Sequence, residues 1–196
     1  PATIRAVLAF PIVLMSLSAC GTAAKNDTFD LSASSLASSE GRSLKNRQIL
    51  VPEPTALKTL DSENIVVRLS SSEVQYLASS QWSDRLPKLV QSKLVEAFEN
   101  TGKLGGVGRP GQGLAIDYQV VTELRRFEIA FEPQPTAVVE ISVKALNDRT
   151  GVGRGSRVFT AKVPVADGQP SGYVTALDGA FAQVADQIVT WMIRLI

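Results

Sequence analysis

Apolar positions along this chain follow two spacings, and each change of spacing marks a new element. Between residues 84 and 100, Leu86, Leu89, Val90, Leu94, Ala97 and Phe98 recur every three or four residues, which puts them on one side of a helix. Ser83 stands where an N-cap is expected. Pro87 falls in the first turn, where its missing N–H is harmless, and Gly102 follows the end. The helical spacing returns from about Ser171 to Ile196, with Tyr173, Leu177, Phe181, Val184, Ile188, Trp191 and Leu195 on one stripe.

Elsewhere the period is two. Gln48 to Val51 reads as a strand ended by Pro52 and Pro54, Ile65 to Leu69 as a second, and Val74 to Leu77 as a hairpin arm. A long strand is predicted from Leu114 to Phe131. Leu114, Ile116, Tyr118, Val120 and Leu124 share one face, and after Arg125 the apolar set moves to Phe127, Ile129 and Phe131. A change of parity inside one strand requires a bulge near Arg125-Arg126. Pro133 and Pro135 mark a turn, Ala137, Val139, Ile141, Val143 and Ala145 alternate on the next strand, and Val158 to Val165 returns after a turn at Asn147–Gly151. The order of one-sided strands and one-sided helices predicts an α+β fold, an antiparallel sheet with two main helices packed on one face.

The first residues follow neither spacing. Arg5 is the sole charge in 1–19, and the apolar run from Ala6 to Leu14 is broken by Pro11 and too short to span a bilayer, which takes about 20 apolar residues. The segment reads as a secretory signal. It ends in Leu17-Ser18-Ala19-Cys20-Gly21, which looks like a bacterial lipobox, with Cys20 as the lipid acceptor. One acyl chain binds marginally at roughly 0.8 kcal/mol per buried methylene, so two or three would hold the protein to its membrane. Gly21 in place of an aspartate after the cysteine favours the outer membrane, with the chain on its periplasmic face. Residues 22–48 are rich in Ser, Ala, Lys and Asn and read as a tether. Within it Phe29-Asp30-Leu31 reads equally as an edge strand or as part of the tether. The expected organisation is a signal over 1–19, a lipidated Cys20 and tether over 20–47, and a folded domain over 48–196.

Composition narrows the chemistry. The chain has no histidine and one cysteine, which excludes Ser-His-Asp and Cys-His sites, removes the commonest metal ligand and forbids an intrachain disulfide. Gly106-Val107-Gly108-Arg109-Pro110-Gly111 spells a dinucleotide-type glycine pattern, but a helix precedes it and a strand follows, the reverse of what phosphate binding needs. It reads as a flexible loop. No carboxylate pair stands out, and Asp117 and Glu123 fall on the exposed parity of their strand. Trp82 and Trp191 are ligand platforms or core, with core favoured; Arg125 and Arg126 are headgroup ligands or solvated strand residues, with solvation favoured. No enzyme, cofactor, metal or nucleic-acid function is expected.

Several segments together resemble the ABC-type transport auxiliary lipoproteins, the family of paraquat-inducible protein C. They are Ile65-Val66-Val67-Arg68; Tyr76 to Pro87, as Tyr-x5-Trp-x3-Leu-Pro; Arg125-Arg126-Phe127-Glu128; Leu146-Asn147-Asp148; and the closing helix from Tyr173. The similarity covers roughly residues 28–196. The chain departs from the family in having one aromatic near Phe29 where a pair is usual, and Ser83-Asp84 where Ala-Glu often follows the tryptophan. The resemblance implies a docking role beside an ABC ATPase, a permease and an MCE-domain protein that together move lipid or other hydrophobic cargo between two membranes. The alternative class is a stand-alone periplasmic ligand-binding or assembly lipoprotein with a cleft between helices and sheet.

Removing residues 1–19 takes away only Arg5 and leaves nineteen basic against nineteen acidic residues, so no net charge steers a partner. Contact is expected instead through an edge strand or through apolar side chains near the bulge, with Phe127, Ile129 and Phe131 as candidates for an MCE or homo-oligomer contact. The anchor yields the first prediction. Cys20→Ala in the full-length precursor is expected to abolish palmitate labelling and membrane retention; a variant that still fractionates with the outer membrane contradicts the lipobox reading.

Overall fold

A computed structural model of the protein describes residues 26–32 and 43–196. The signal, Cys20 and most of the expected tether lie outside the described residues. In chain order the elements are β1 (Asp27–Phe29), β2 (Leu44–Leu50), β3 (Thr55–Ala56), β4 (Asn64–Arg68), β5 (Val74–Trp82), α1 (Leu86–Asn100), β6 (Leu104–Gly108), β7 (Tyr118–Ala130), β8 (Thr136–Asn147), β9 (Gly153–Pro164) and α2 (Pro170–Leu195). The fold is α+β: one nine-stranded sheet with two helices packed against it.

Strand β7 is the hub. One edge is paired along its whole length with β8, and β8 with β9, both antiparallel. The other edge takes β2, β3 and β4 in succession, all parallel to it. Beyond β4 lie β5 and β1; beyond β2 lies β6. The long ladders are antiparallel, as the short turns between successive strands predict. The short parallel ladders were not legible, because alternation along a strand is the same whichever way its neighbour runs.

The parity change in β7 is a bulge, with Leu124 opposite Ile141 and Arg126 opposite Glu140, so that Arg125 stands opposite no residue of β8. It turns Phe127 and Ile129 into the core beside Tyr118, Val120 and Leu124. The ring of Phe127 meets Trp82 edge-on at 5.8 Å and Phe181 at 6.0 Å, which ties β5, β7 and α2 together through aromatic contacts. On the other face the bulge sends out Arg126 and Glu128. Glu128 is only 2% exposed, and its Oε1 accepts from Arg68 Nε at 2.8 Å and from Arg126 at 2.7 Å. Two guanidinium groups thus satisfy a carboxylate on the helix-free face of the sheet.

Four expectations are corrected. Helix α1 is capped at Arg85 and not Ser83, with no side-chain cap; its first amide, Leu86 N–H, donates instead to the Ser62 carbonyl at 3.0 Å. The long strand starts at Tyr118, and Leu114 is exposed. Leu104–Gly108 is strand β6 rather than loop, paired in parallel with β2. A Cβ on Gly105 would stand 2.2 Å from the Lys45 carbonyl oxygen, so the glycine admits the neighbouring backbone. Lastly, the folded part begins well before residue 48: Phe29 ends strand β1, Leu31 is in the core, and β2 starts at Leu44.

The stripe on α2 is as predicted but wider. Leu177, Phe181, Val184 and Ile188 are buried, and so are Val174, Ala180, Ala185 and Val189, because α2 meets both the sheet and α1. Phe181→Ala is expected to cost about 3–5 kcal/mol. Gln183→Ala, at an exposed position, should leave the melting temperature nearly unchanged, and equal shifts for the two would contradict this packing. Ile129→Asp puts a carboxylate at a fully buried site on the hub strand, at a penalty of several kcal/mol. That variant is expected to unfold the domain, as circular dichroism would report.

Candidate functional site

Strand β9 is an edge: it pairs with β8 and with no other strand among the described residues. Its sequence from Gly153 to Pro164 holds Arg154, Arg157 and Lys162 and no acid. Phe159 turns inward and is buried, while Arg157, two residues earlier on the same face, is exposed and lies over the Phe159 ring at 5.1 Å. Above this face runs the C-terminal half of α2. Trp191 meets Phe159 nearly edge-on at 5.7 Å. Gly155 makes that approach possible, since a Cβ there would come within 3.2 Å of both Trp191 and Leu195.

The result is an open groove of about 350 Å³ between β9 and α2. Phe159 and Trp191 form its apolar floor, and Arg157, Arg194, Asp186, Gln187 and Thr190 line it. The rim carries two guanidinium groups against one carboxylate. Such a cleft suits an extended segment that brings acidic and apolar side chains together, and it lies beside a strand edge to which a backbone can add.

Of the residues singled out from sequence, Cys20 lies outside the described residues. Phe127 and Ile129 are 1% and 0% exposed, and Phe131 is partly buried against Tyr173 at 6.0 Å. Phe127 and Ile129 so placed offer no surface to a partner, so the expectation of a contact through them is corrected: the bulge returns them to the core, while Phe131 keeps a partly exposed ring. Trp82 is core. Trp191 is both things at once, half-buried and lining the groove. Arg125 and Arg126 are paired with Glu123 at 3.2 Å and Glu128 at 2.7 Å, which disfavours a headgroup role. Asp117 accepts from the Gln48 amide at 2.9 Å, and Arg47 lies 3.5 Å away, so it joins β2 to the start of β7. Arg157, Phe159 and Arg194 were missed. The run of basic residues without an acid in β9 was legible, but not that β9 is an edge.

The perturbed ionisable groups sit at structural ion pairs. The hydrogen bond to Glu128 raises the Arg68 pKa above the ordinary arginine value. The Asp84 carboxyl is held below the usual range by Lys88, at 2.6 Å, and by the Arg85 amide. Arg85 is raised by its hydrogen bond to Asp61, at 2.9 Å, and by the charge of Glu53; the two carboxylates bind the start of α1 to the segments around β3. These pairs hold elements together and lie outside the groove. Among the described residues no cluster of three metal-ligating side chains occurs, and no helix is long and apolar enough to cross a membrane.

Comparison with known proteins gives this architecture a family. The profile of ABC-type transport auxiliary lipoprotein components matches residues 29–189, from β1 into the last turns of α2. The crystal structure of protein XCC0632 from Xanthomonas campestris is similar at 26% identity and a TM-score of 0.81, over 86% of this chain and 95% of that one. The hypothetical protein CT253 from Chlamydia trachomatis shares the fold alone, at 8% identity and a TM-score of 0.53, over 75% of this chain and 96% of that one. The protein bll6063 of Bradyrhizobium diazoefficiens is 27% identical over 173 residues, 88% of this chain; the chain spans about half of that relative, 46% of its length. From the match across both helices and nearly the whole sheet, the chain belongs to the family of ABC-type transport auxiliary lipoprotein components.

Proposed function

We propose that this protein is the outer-membrane docking lipoprotein of an ABC-type envelope transport system, receiving the distal end of an MCE-domain subunit. The set moves lipid or hydrophobic cargo between the two membranes, and this chain carries out no chemistry of its own. The family supports the transport setting, and the lipobox at Cys20 supports the anchor. The observation that carries the docking role is the unpaired, basic edge β9 beside the aromatic-floored groove.

The partner it suits is an extended acidic and apolar segment. Backbone hydrogen bonds to the β9 edge would supply affinity, and the arginines at the groove would select for acid. Self-pairing of two β9 edges is disfavoured, because it would bring Arg154, Arg157 and Lys162 of both copies together. The stand-alone binding reading draws on the same groove, whose volume lies at the small end of ligand pockets, about 300–1,000 Å³. Its openness at a strand edge favours a peptide over an enclosed small molecule.

The double charge reversal Arg157→Glu with Arg194→Glu tests this. Both side chains are exposed, so the melting temperature should stay within a few degrees of the wild-type value. Recovery of the MCE-domain subunit in pull-downs from detergent-solubilised envelopes should fall at least about tenfold, the equivalent of about 1.4 kcal/mol. Wild-type recovery by a folded double variant would exclude the groove as the docking site.

A further inference from the structure

Of the sheet's outer edges, those at β5 and β9 are unlike. Strand β5, Val74–Trp82, contains no charged residue, whereas β9 at the opposite edge carries three cations. Strand β1 pairs with β5 at Ser80, Gln81 and Trp82, and among the described residues β5 has no outer partner from Val74 to Ser79. On that stretch Tyr76 is 50% exposed, and Gln75, Ala78 and Ser79 are exposed beside it. Ser79 sits in the left-handed region at φ 52, inside the register shift between β4 and β5.

The N-terminal segment docks on the same edge. The Asn26 side chain donates to Gln81 Oε1 at 2.9 Å, the Ser83 amide donates to the Phe29 carbonyl at 2.7 Å, and Leu31 is 2% exposed. Ser32 then fastens the segment to α2, its amide and hydroxyl reaching the Asp178 carboxylate at 2.7 and 2.6 Å. The chain is therefore held from Asn26 to Ser32. Six peptide steps separate Asn26 from Cys20, and at about 3.3–3.6 Å per step no backbone conformation covers more than about 22 Å. The sheet from β1 through β5, β4, β7 and β8 to β9 is itself about 24 Å wide at about 4.8 Å per strand.

We infer that the outer edge of β5, uncharged along the strand and with Tyr76 and Ala78 on it, is a membrane-contact surface that rests on the lipid headgroups. The inference rests on the lipid-anchor reading of Cys20. The short span keeps this edge close to the anchoring leaflet. A strand without charges incurs no ion-desolvation penalty there, and a tyrosine, apolar along its ring with a polar tip, is favoured at a bilayer interface. Asp27 and Glu73 lie at the two ends of the strip, so the lipid it fits is zwitterionic rather than anionic. The basic β9 edge, at the other side of the sheet, stays free for a protein partner.

Depth-dependent quenching tests the inference on the full lipidated chain, reconstituted in phosphatidylcholine vesicles that carry a headgroup-region spin-labelled lipid. Lipidation occupies the Cys20 thiol, so one introduced cysteine is the sole free thiol for a fluorophore. Palmitate labelling is read first, and its absence from the wild type overturns the anchor and this inference together. With labelling present, Ala78→Cys should be quenched several-fold more than Thr160→Cys on β9. Equal quenching, or the reverse order, overturns the membrane contact and leaves the anchor standing. As a second measurement, a Gly/Ser linker of about 12 residues inserted after Ala24 adds about 20 Å of reach. Palmitate labelling should persist while quenching at the Ala78→Cys probe falls toward that at the Thr160→Cys probe. Unchanged quenching shows the edge binding lipid without help from the short span, which overturns the short span as its cause.

Discussion

Strand β7 carries partners on both edges, so any slip of its register would displace β2, β3, β4 and β8 at once. It must also serve two faces whose apolar patterns disagree along its length. The single unpaired residue at Arg125 reconciles them. Before it, Tyr118, Val120 and Leu124 face the helices; after it, Phe127 and Ile129 do. Without the bulge, the second half of the strand would bury Arg126 and Glu128 under α2 and expose Phe127. With it, Phe127 completes the contact from Trp82 to Phe181, and Glu128 meets its two arginines on the open face.

That hub holds the edges of the sheet apart and lets them differ. With a formal net charge of +1 the chain has no strong long-range field, yet the near-neutral sum conceals a local contrast. The β5 edge is uncharged and receives the N-terminal segment; the β9 edge is basic and borders a groove floored by Phe159 and Trp191. The proposed function calls for surfaces of this kind, one compatible with headgroups and one selective for another chain. The helices serve the arrangement indirectly. The C-terminal half of α2 packs over β9 at Gly155, where a Cβ would come within 3.2 Å of Trp191 and Leu195, and that approach shapes the groove.

Much of the candidate site was visible as residues but not as a place. The basic run of β9 and the aromatic Trp191 can be read directly from the chain, but that β9 ends the sheet depends on what pairs with what. The glycines of β6 gave no strand signal, since strand patterns are written in side chains and Gly105 is there to lack one. The partner contact expected at Phe127 and Ile129 failed for a related reason. Parity says that side chains share a face, and only packing says whether that face is covered.

The sequence by itself determined the two helices and their buried stripes, the three long strands, the bulge at Arg125 and the family resemblance. The elements are written in local spacing, which follows from backbone geometry, and the resemblance in residue types at fixed separations. Tertiary structure decided the rest: the parallel ladders on β7, the docking of Asp27–Phe29 onto β5, the pairing of Arg68 and Arg126 with Glu128, and the groove between β9 and α2. These join residues far apart in the chain, and their energies come from contacts that no local pattern encodes. The chain supplies the faces, and the order in which the strands assemble decides which of them remain open.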